Sequence, residues 1–520
     1  MQLNHIIAFA KKSRLSLTML LLFVMSSILI TAQDTPTLVP FSDDGYQIQG
    51  VRPDGWNEVG RGLYARGSGL GDIALVAMQS AAVDAEALWE SLLPQFGLET
   101  VPPAVTDYTS QNLNWTLYQF DVTVRGVDVR FDLAISEGDR LTYLILLQSK
   151  PEDYETLHNA VFVPALDAFA PLVAVDVPYL EEDVTFTNGD VTLAGTLTLP
   201  ETEGQHPAIV LMTGSGQQDR DSAVVPGFPL FRLIADHLTR QGIAVLRYDD
   251  RGTGQSTGEF SEASIQDFAS DGQAAVNYLK SRPDINPDQV GILGHSEGGA
   301  YSAMLGADPD SGIAFIVALA APAVDLTEVL FLQNQLILLS QGASDELVES
   351  QIVFLEAAIP LIKARDWEAL EQLTNITFIE QWALLSAEQQ AQFGVETAEE
   401  YAQTNLDNFL QVYQAEWFVT FLDYDPSVDW AQTTTPILAI YGGLDIQVPP
   451  SQSSPALETA LASAGNTDFE IVTLPTANHL FQNAQTGSLD EYAQLPGEFV
   501  PELLPTISDW IVARVNIAVN

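Results

Sequence analysis

Between residues 40 and 175 short alternating apolar runs are interrupted by helical spacing. Trp115-Thr-Leu-Tyr-Gln-Phe-Asp-Val122 and Leu141-Thr-Tyr-Leu-Ile-Leu-Leu147 read as strands, rich in aromatic and aliphatic residues. Ala87-Leu-Trp-Glu-Ser-Leu-Leu93 and the stretch from Tyr154 to Phe169 place apolar residues three and four apart, which predicts helices. Pro164 lies inside the second. It predicts a kink or break there, because proline removes an amide donor and crowds the preceding turn.

After a Pro171–Pro178 linker the rhythm changes. Two alternating runs, beginning at Val184 and ending at Leu199, meet at Asn188-Gly189, a dipeptide whose tolerance of positive φ suits a two-residue hairpin. Six apolar strand candidates then alternate with helical stretches: 208–212, 244–248, 290–293, 314–319, 437–441 and 469–474. Strands buried on both faces and separated by helices imply an α/β domain with a mainly parallel sheet. Residues 323–432 break the alternation with Leu-, Gln- and Glu-rich helical spacing, dotted with Trp367, Trp382, Trp417 and Phe418. The expected organisation is a small α+β domain over 40–175, then an α/β domain over 180–520 with a helical cap inserted near 323–432.

Length and charge fit this picture. A chain of 520 residues exceeds one ordinary domain, and 47% hydrophobic against 17% charged residues permits large cores. Twenty Lys and Arg stand against 69 Asp and Glu, a net charge of −49. Such a surface repels phosphates, so nucleic acid and anionic lipid are excluded as partners. Lys11, Lys12 and Arg14 precede an apolar run from Leu15 to Ile30, with Thr31-Ala32 as small residues before Gln33. That layout predicts a signal peptide over 1–32 and export to the periplasm, the exterior or the cell surface. Cleavage would leave no stable membrane contact; the alternative is an uncleaved anchor helix. With no cysteine, disulfides, a lipoprotein anchor and a thiolate nucleophile are excluded.

The chemistry concentrates in the second domain. Val290-Gly-Ile-Leu-Gly294-His295-Ser296-Glu297-Gly298-Gly299 places G-x-S-x-G between a strand and a helical pattern. A serine on such a strained turn exposes its hydroxyl, and the helix that follows aims amide dipoles at an oxyanion. The base is found by elimination among six histidines. His5 lies in the leader, His158 in the first domain, His237 within a helix, His206 before a strand, and His295 beside the serine. His479 sits in a loop just past the last strand candidate, which suits a base. Asp445 follows the preceding strand in Tyr-Gly-Gly-Leu-Asp445, where glycines can turn it toward His479; Asp423 and Asp425 are weaker substitutes.

Two backbone donors would complete an oxyanion site. The amide of Glu297 is one, and the loop Thr213-Gly214-Ser215-Gly216-Gln217-Gln218-Asp219-Arg220-Asp221 supplies the other from Ser215 or Gly214. Asp219-Arg220-Asp221 is read as an ion-paired support, and Asp250-Arg251-Gly-Thr-Gly254-Gln-Ser256 as a rigid loop beside the site.

Taken in order, G-S-G-x-Q-D-R-D, D-D-R-G-x-G-x-S, G-H-S-E-G-G and A-N-H-x-F resemble the EstD-type bacterial esterases. These belong to the serine-aminopeptidase-like group of the α/β-hydrolase superfamily. The resemblance covers about 180–520 and implies an α/β-hydrolase fold. It also implies a carboxylesterase without metal or other cofactor, with Ser296, Asp445 and His479 as its triad and a small-molecule ester as substrate. Gln217, where such loops often carry proline, and the long cap are departures that bear on substrate. Gly45-Tyr-Gln-Ile and Pro53-Asp-Gly-Trp56 give the first domain a diffuse similarity to small PsbP-like domains, with no catalytic motif. A peptidase or thioesterase on the same triad, and a binding protein that has lost catalysis, are the competing readings.

Overall fold

The computed structural model describes residues 36–43, 46–66, 73–81, 83–98, 100–124, 127–138, 141–172, 177–225, 228–393, 395 and 397–517. The leader expected over 1–32 lies outside the described residues, as does the middle of the expected linker. The chain forms two compact units. One comprises the described residues of Arg14–Val177 and Val224–Pro229, the other those of Pro178–Ala223 and Leu230–Asn520.

The first unit is built on an antiparallel seven-stranded sheet. Its strands are β3 (Asn57–Gly60), β4 (Leu63–Ala65), β5 (Leu75–Ala81), β6 (Ala104–Thr109), β7 (Asn114–Val124), β8 (Val127–Glu137) and β9 (Thr142–Ser149). They lie in the order β3-β4-β5-β9-β8-β7-β6. A smaller three-stranded sheet joins β1 (Leu38–Asp43), β2 (Ile48–Pro53) and β10 (Ala170–Pro171). Successive residues of β9 point to opposite faces, and both faces are covered. Leu144 and Leu146 pack with Leu88, Trp89, Leu92 and Phe96 of α1 (Ala85–Phe96). Ile145 and Leu147 pack with Leu157, Phe162 and Leu166 from the other side. A strand covered twice is apolar throughout, which is why this segment lacks a clean alternation.

The second helical stretch is not broken at Pro164. Regular α-helix over Tyr154–Leu157 (α2) widens into a π-helical turn at His158–Phe162, and α-helix resumes over Val163–Ala168 (α3) with Pro164 in its first turn. Proline is tolerated where its missing N–H would have no intrahelical partner, and the wide turn before it absorbs the steric conflict.

The second unit carries an eight-stranded sheet ordered β11-β12-β14-β13-β15-β16-β17-β18. The hairpin of β11 (Tyr179–Asn188) and β12 (Val191–Pro200) closes with Asn188 opposite Val191, and Gly189 has φ +59°. From β13 onward the pairs are parallel: β13 (His206–Met212) lies between β14 (Ala244–Tyr248) and β15 (Ile285–His295). β16 (Ile316–Leu319), β17 (Ile437–Gly442) and β18 (Phe469–Leu474) follow outward. Chain order reverses around β13, and the crevice beyond the carboxyl ends of strands at such a reversal is where open α/β sheets bind ligands. This is the α/β-hydrolase arrangement.

Between β16 and β17 the chain runs through helices from Leu326 to Trp430, the expected cap. Aromatic residues make the cap's interior, Phe354, Phe378 and Phe409 meeting edge to face at centroid separations of 5.5 and 5.6 Å. Trp382 packs beside Tyr401 at 5.1 Å. Other aromatics tie the cap to the sheet domain. Trp417 approaches Phe260 at 5.9 Å, and buried Trp430 donates its indole N–H to the Pro322 carbonyl at 3.1 Å.

Candidate active site

Ser296 stands between the end of β15 and the first residue of α4 (Glu297–Ala307), with φ 56° and ψ −119°. Few non-glycine residues adopt this conformation, which costs about 1–3 kcal/mol and persists only where surroundings enforce it. Here they do. The Ser296 amide donates to the Leu319 carbonyl at 2.8 Å and the Ser296 carbonyl accepts from Gly299 at 2.8 Å. The motif glycines are there for space: a Cβ on Gly298 would lie 2.3 Å from the Met212 carbonyl oxygen, and one on Gly294 would lie 2.0 Å from that of Gly298. Only bare backbone lets α4 start this close to the end of β13.

The loops after β17 and β18 bring the predicted acid and base together. His479 Nδ1 lies 2.8 Å from Asp445 Oδ2, and both residues are buried. Asp445 is held by its other oxygen, which accepts the amides of Gln447 at 2.7 Å and Val448 at 2.9 Å. A carboxylate held from behind in this way fixes the imidazole tautomer, with the proton on Nδ1 and Nε2 free to accept. His479 is tied to the serine turn through its neighbour. His295 Nε2 donates to the His479 carbonyl at 2.9 Å and the two rings lie 4.8 Å apart. Burial, reinforced by His479, drives His295 down to about 3, so it stays neutral.

The other histidines among the described residues are occupied elsewhere. His158 pairs with Asp132 at 2.7 Å in the first unit, His237 contacts Ser508 at 3.0 Å, and His206 Nε2 faces the Thr202 carbonyl at 3.1 Å. Asp423 pairs with Lys363 at 3.1 Å and Asp425 caps a cap helix through the Ser427 amide, so neither stands in for Asp445.

Gly214 and Ser215 follow β13 beside the serine. A Cβ on Gly214 would be 3.1 Å from Ser296 Cβ and 3.3 Å from the His295 carbonyl oxygen. The Glu297 amide, first in α4, lies on the opposite side of Ser296 along the chain. The Glu297 side chain turns inward. Its Oε1 accepts from Tyr301 Oη at 2.7 Å, and its buried Oε2 has no hydrogen-bond partner among the described residues. Burial raises the carboxyl above its ordinary value, opposed by the Ser215 and Tyr301 hydroxyls. Sequence reasoning did not find this group. The Tyr four residues after Glu297 on one helix face was the available signal.

Behind the site, Arg220 grips Asp249 at 2.7 and 3.0 Å, and Arg251 holds buried Asp271 through two contacts of 2.7 Å. These are the ion-paired supports of the 213–221 and 250–256 loops.

Residues 230–485 match the family Hydrolase_4, described as serine aminopeptidase, S33. The match does not reach the first unit, so the PsbP-like similarity gains no support. Among curated proteins, Esterase EstD of Thermotoga maritima is 25% identical over 340 residues, 65% of this chain and 70% of that one. Esterase FrsA of Vibrio vulnificus is 28% identical over 144 residues, 28% of this chain and 32% of that one. Among solved structures, a Pyrococcus furiosus esterase superposes with a TM-score of 0.40 at 15% identity, covering 66% of this chain and 94% of that chain. The strand order gives the second unit the α/β-hydrolase fold. That unit is similar to the EstD esterase and to the serine-aminopeptidase group.

Proposed function

We propose that the second unit cleaves small carboxylic esters through Ser296, His479 and Asp445. The observation that carries this reading is the 2.8 Å bond between His479 Nδ1 and Asp445 Oδ2, formed beside a serine held on a strained strand-to-helix turn. His479 Nε2 takes the Ser296 proton as the hydroxyl oxygen bonds to the ester carbonyl carbon. The resulting oxyanion rests on the Glu297 amide and on that of Ser215 or Gly214. Collapse breaks the carbon–oxygen bond to the alcohol, which leaves with the proton from His479. Water then attacks the acyl-Ser296 ester by the same route.

Neutral substrates fit the surroundings best. Among the described residues of this unit the Lys and Arg side chains are already engaged, from Arg220 with Asp249 to Arg514 with Asp468. Most of these cations already face an acid, and the net charge repels a substrate carboxylate. The family match, described as a serine aminopeptidase, favours one second reading, cleavage of an aminoacyl amide by the same groups. A panel of neutral chromogenic esters and aminoacyl anilides separates the two. Higher kcat/KM on the esters supports the first reading, and higher kcat/KM on the anilides replaces it with the second.

A further inference from the structure

One buried carboxyl beside the site has no ion-pair partner among the described residues and no part in the proposed reaction. Asp250 is the second residue of the loop after β14, next to the 213–218 loop after β13. Its Oδ1 accepts from Thr213 Oγ1 at 2.6 Å and its Oδ2 accepts from the Gln218 amide at 2.8 Å. The Asp250 amide in turn donates to the Gln218 carbonyl at 3.1 Å. A single side chain therefore grips both ends of the loop that carries Gly214 and Ser215. Gln218 extends the grip inward: its Nε2 donates to the Ser215 carbonyl at 3.2 Å, while its Oε1 accepts from Ser222 Oγ at 2.7 Å. That fixes the plane of the peptide following Ser215.

We propose that Asp250 is a positioning residue, setting the register of the 213–218 loop against Ser296 so that its backbone donor meets the oxyanion. This rests on the ester-hydrolase reading above. The neighbouring acids differ in kind: Asp249 and Asp271 each hold an arginine, whereas both oxygens of Asp250 receive neutral donors from the loop alone. A carboxyl buried without a cation is costly, so stability does not account for it. Burial raises its proton affinity well above that of an ordinary aspartate. The grip works in both protonation states, because the Thr213 hydroxyl can either donate to a carboxylate or accept from a carboxylic acid. Asparagine reproduces the second state, its Oδ1 accepting from Gln218 and its Nδ2 donating to Thr213.

A misplaced loop weakens the transition state more than the bound ester, so the signature is a split between kcat and KM. In Asp250→Ala, kcat per folded molecule should fall about 10–100-fold with KM changed less than about threefold. Affinity for a trifluoromethyl ketone, which forms the same oxyanion, should fall in parallel. Asp250→Asn should recover most of both. Thr213→Val, which removes one end of the grip while preserving shape, should show a smaller split of the same sign, and it decides the matter if Asp250→Ala does not fold. Unchanged kcat per folded molecule, or an Asn variant as impaired as Ala, overturns the proposal. Ser296→Ala measured alongside separates the two levels. If it remains active the hydrolase reading falls and this inference with it; if it is dead while Asp250→Ala and Thr213→Val keep full kcat, only this inference falls.

Discussion

Asp445 and His479, 34 positions apart in sequence, meet through a 2.8 Å bond from Nδ1 to Oδ2, while the other Asp445 oxygen accepts two backbone amides. All of the acid's capacity is thus spent on facing one imidazole. In Asp445→Asn the amide would offer a donor to Nδ1, driving the proton to Nε2, where the serine proton must go. Expected is a fall in kcat on a neutral ester of about 10³–10⁴-fold with KM little changed. Steady-state kinetics at pH 7.5 checks it, and a fall below about tenfold would remove Asp445 from the mechanism.

His295 predicts a pH dependence of stability. Its folded-state affinity for protons is depressed to about 3 from the ordinary 6.5, chiefly by burial. The unfolded chain therefore binds a proton that the folded chain refuses. The contribution is fully present above pH 6.5 and is lost as pH falls toward 3. His295→Gln keeps a donor near the His479 carbonyl and removes the titration. Its melting temperature should drop less between pH 7 and pH 4 than that of the parent. Equal drops by calorimetry would show that burial of His295 does not drive the acid sensitivity.

The second unit was far more legible in sequence than the first. Asn188-Gly189 announced its hairpin, and the segments 208–212, 244–248, 290–293, 437–441 and 469–474 each lie within an observed strand. Their helical spacers made the parallel sheet readable, and positions just beyond strand ends drew attention to residues 296, 445 and 479. In the first unit, β5 (Leu-Val-Ala-Met-Gln-Ser-Ala) went unread because both sheet faces are covered and its apolar and polar positions do not alternate. The alternation of β8 (Val127-Asp-Val-Arg-Phe-Asp-Leu), by contrast, was there to be read and was missed. The π-helical turn at His158–Phe162 has no signature beyond the proline after it. Asp250 was read only as part of a rigid loop beside the site, since its particular role depends on Thr213 and Gln218, more than thirty positions away.

Space behind the serine turn gives a stability prediction. In Gly298→Ala the new Cβ would sit 2.3 and 2.5 Å from the carbonyl oxygens of Met212 and Thr213. Backbone at the end of β13 must shift, costing about 1–3 kcal/mol by analogy with overpacked cores. Denaturant unfolding should show the loss together with a fall in ester turnover. Parent-like stability would mean that β13 yields more easily than its hydrogen bonds suggest.

Charge gives a prediction on substrate choice. With a net charge of −49 and the arginines of the second unit engaged, esters bearing a carboxylate should be poorer substrates than neutral esters of equal size. The gap should narrow as salt rises from about 10 mM to about 500 mM, where the Debye length falls from roughly 30 Å to a few ångströms. Faster turnover of the anionic ester at low salt would reverse this account of the surface.

The central claim is that Ser296 is the nucleophile of an ester hydrolase, and active-site labelling read by peptide mass spectrometry addresses it most directly. A fluorophosphonate should add to the peptide containing Ser296 and to no other serine, with ester turnover falling in step with occupancy. Ser296→Ala should neither label nor turn over ester, while keeping the parent melting curve. Labelling at another serine, or full ester turnover by a folded Ser296→Ala protein, would contradict the account.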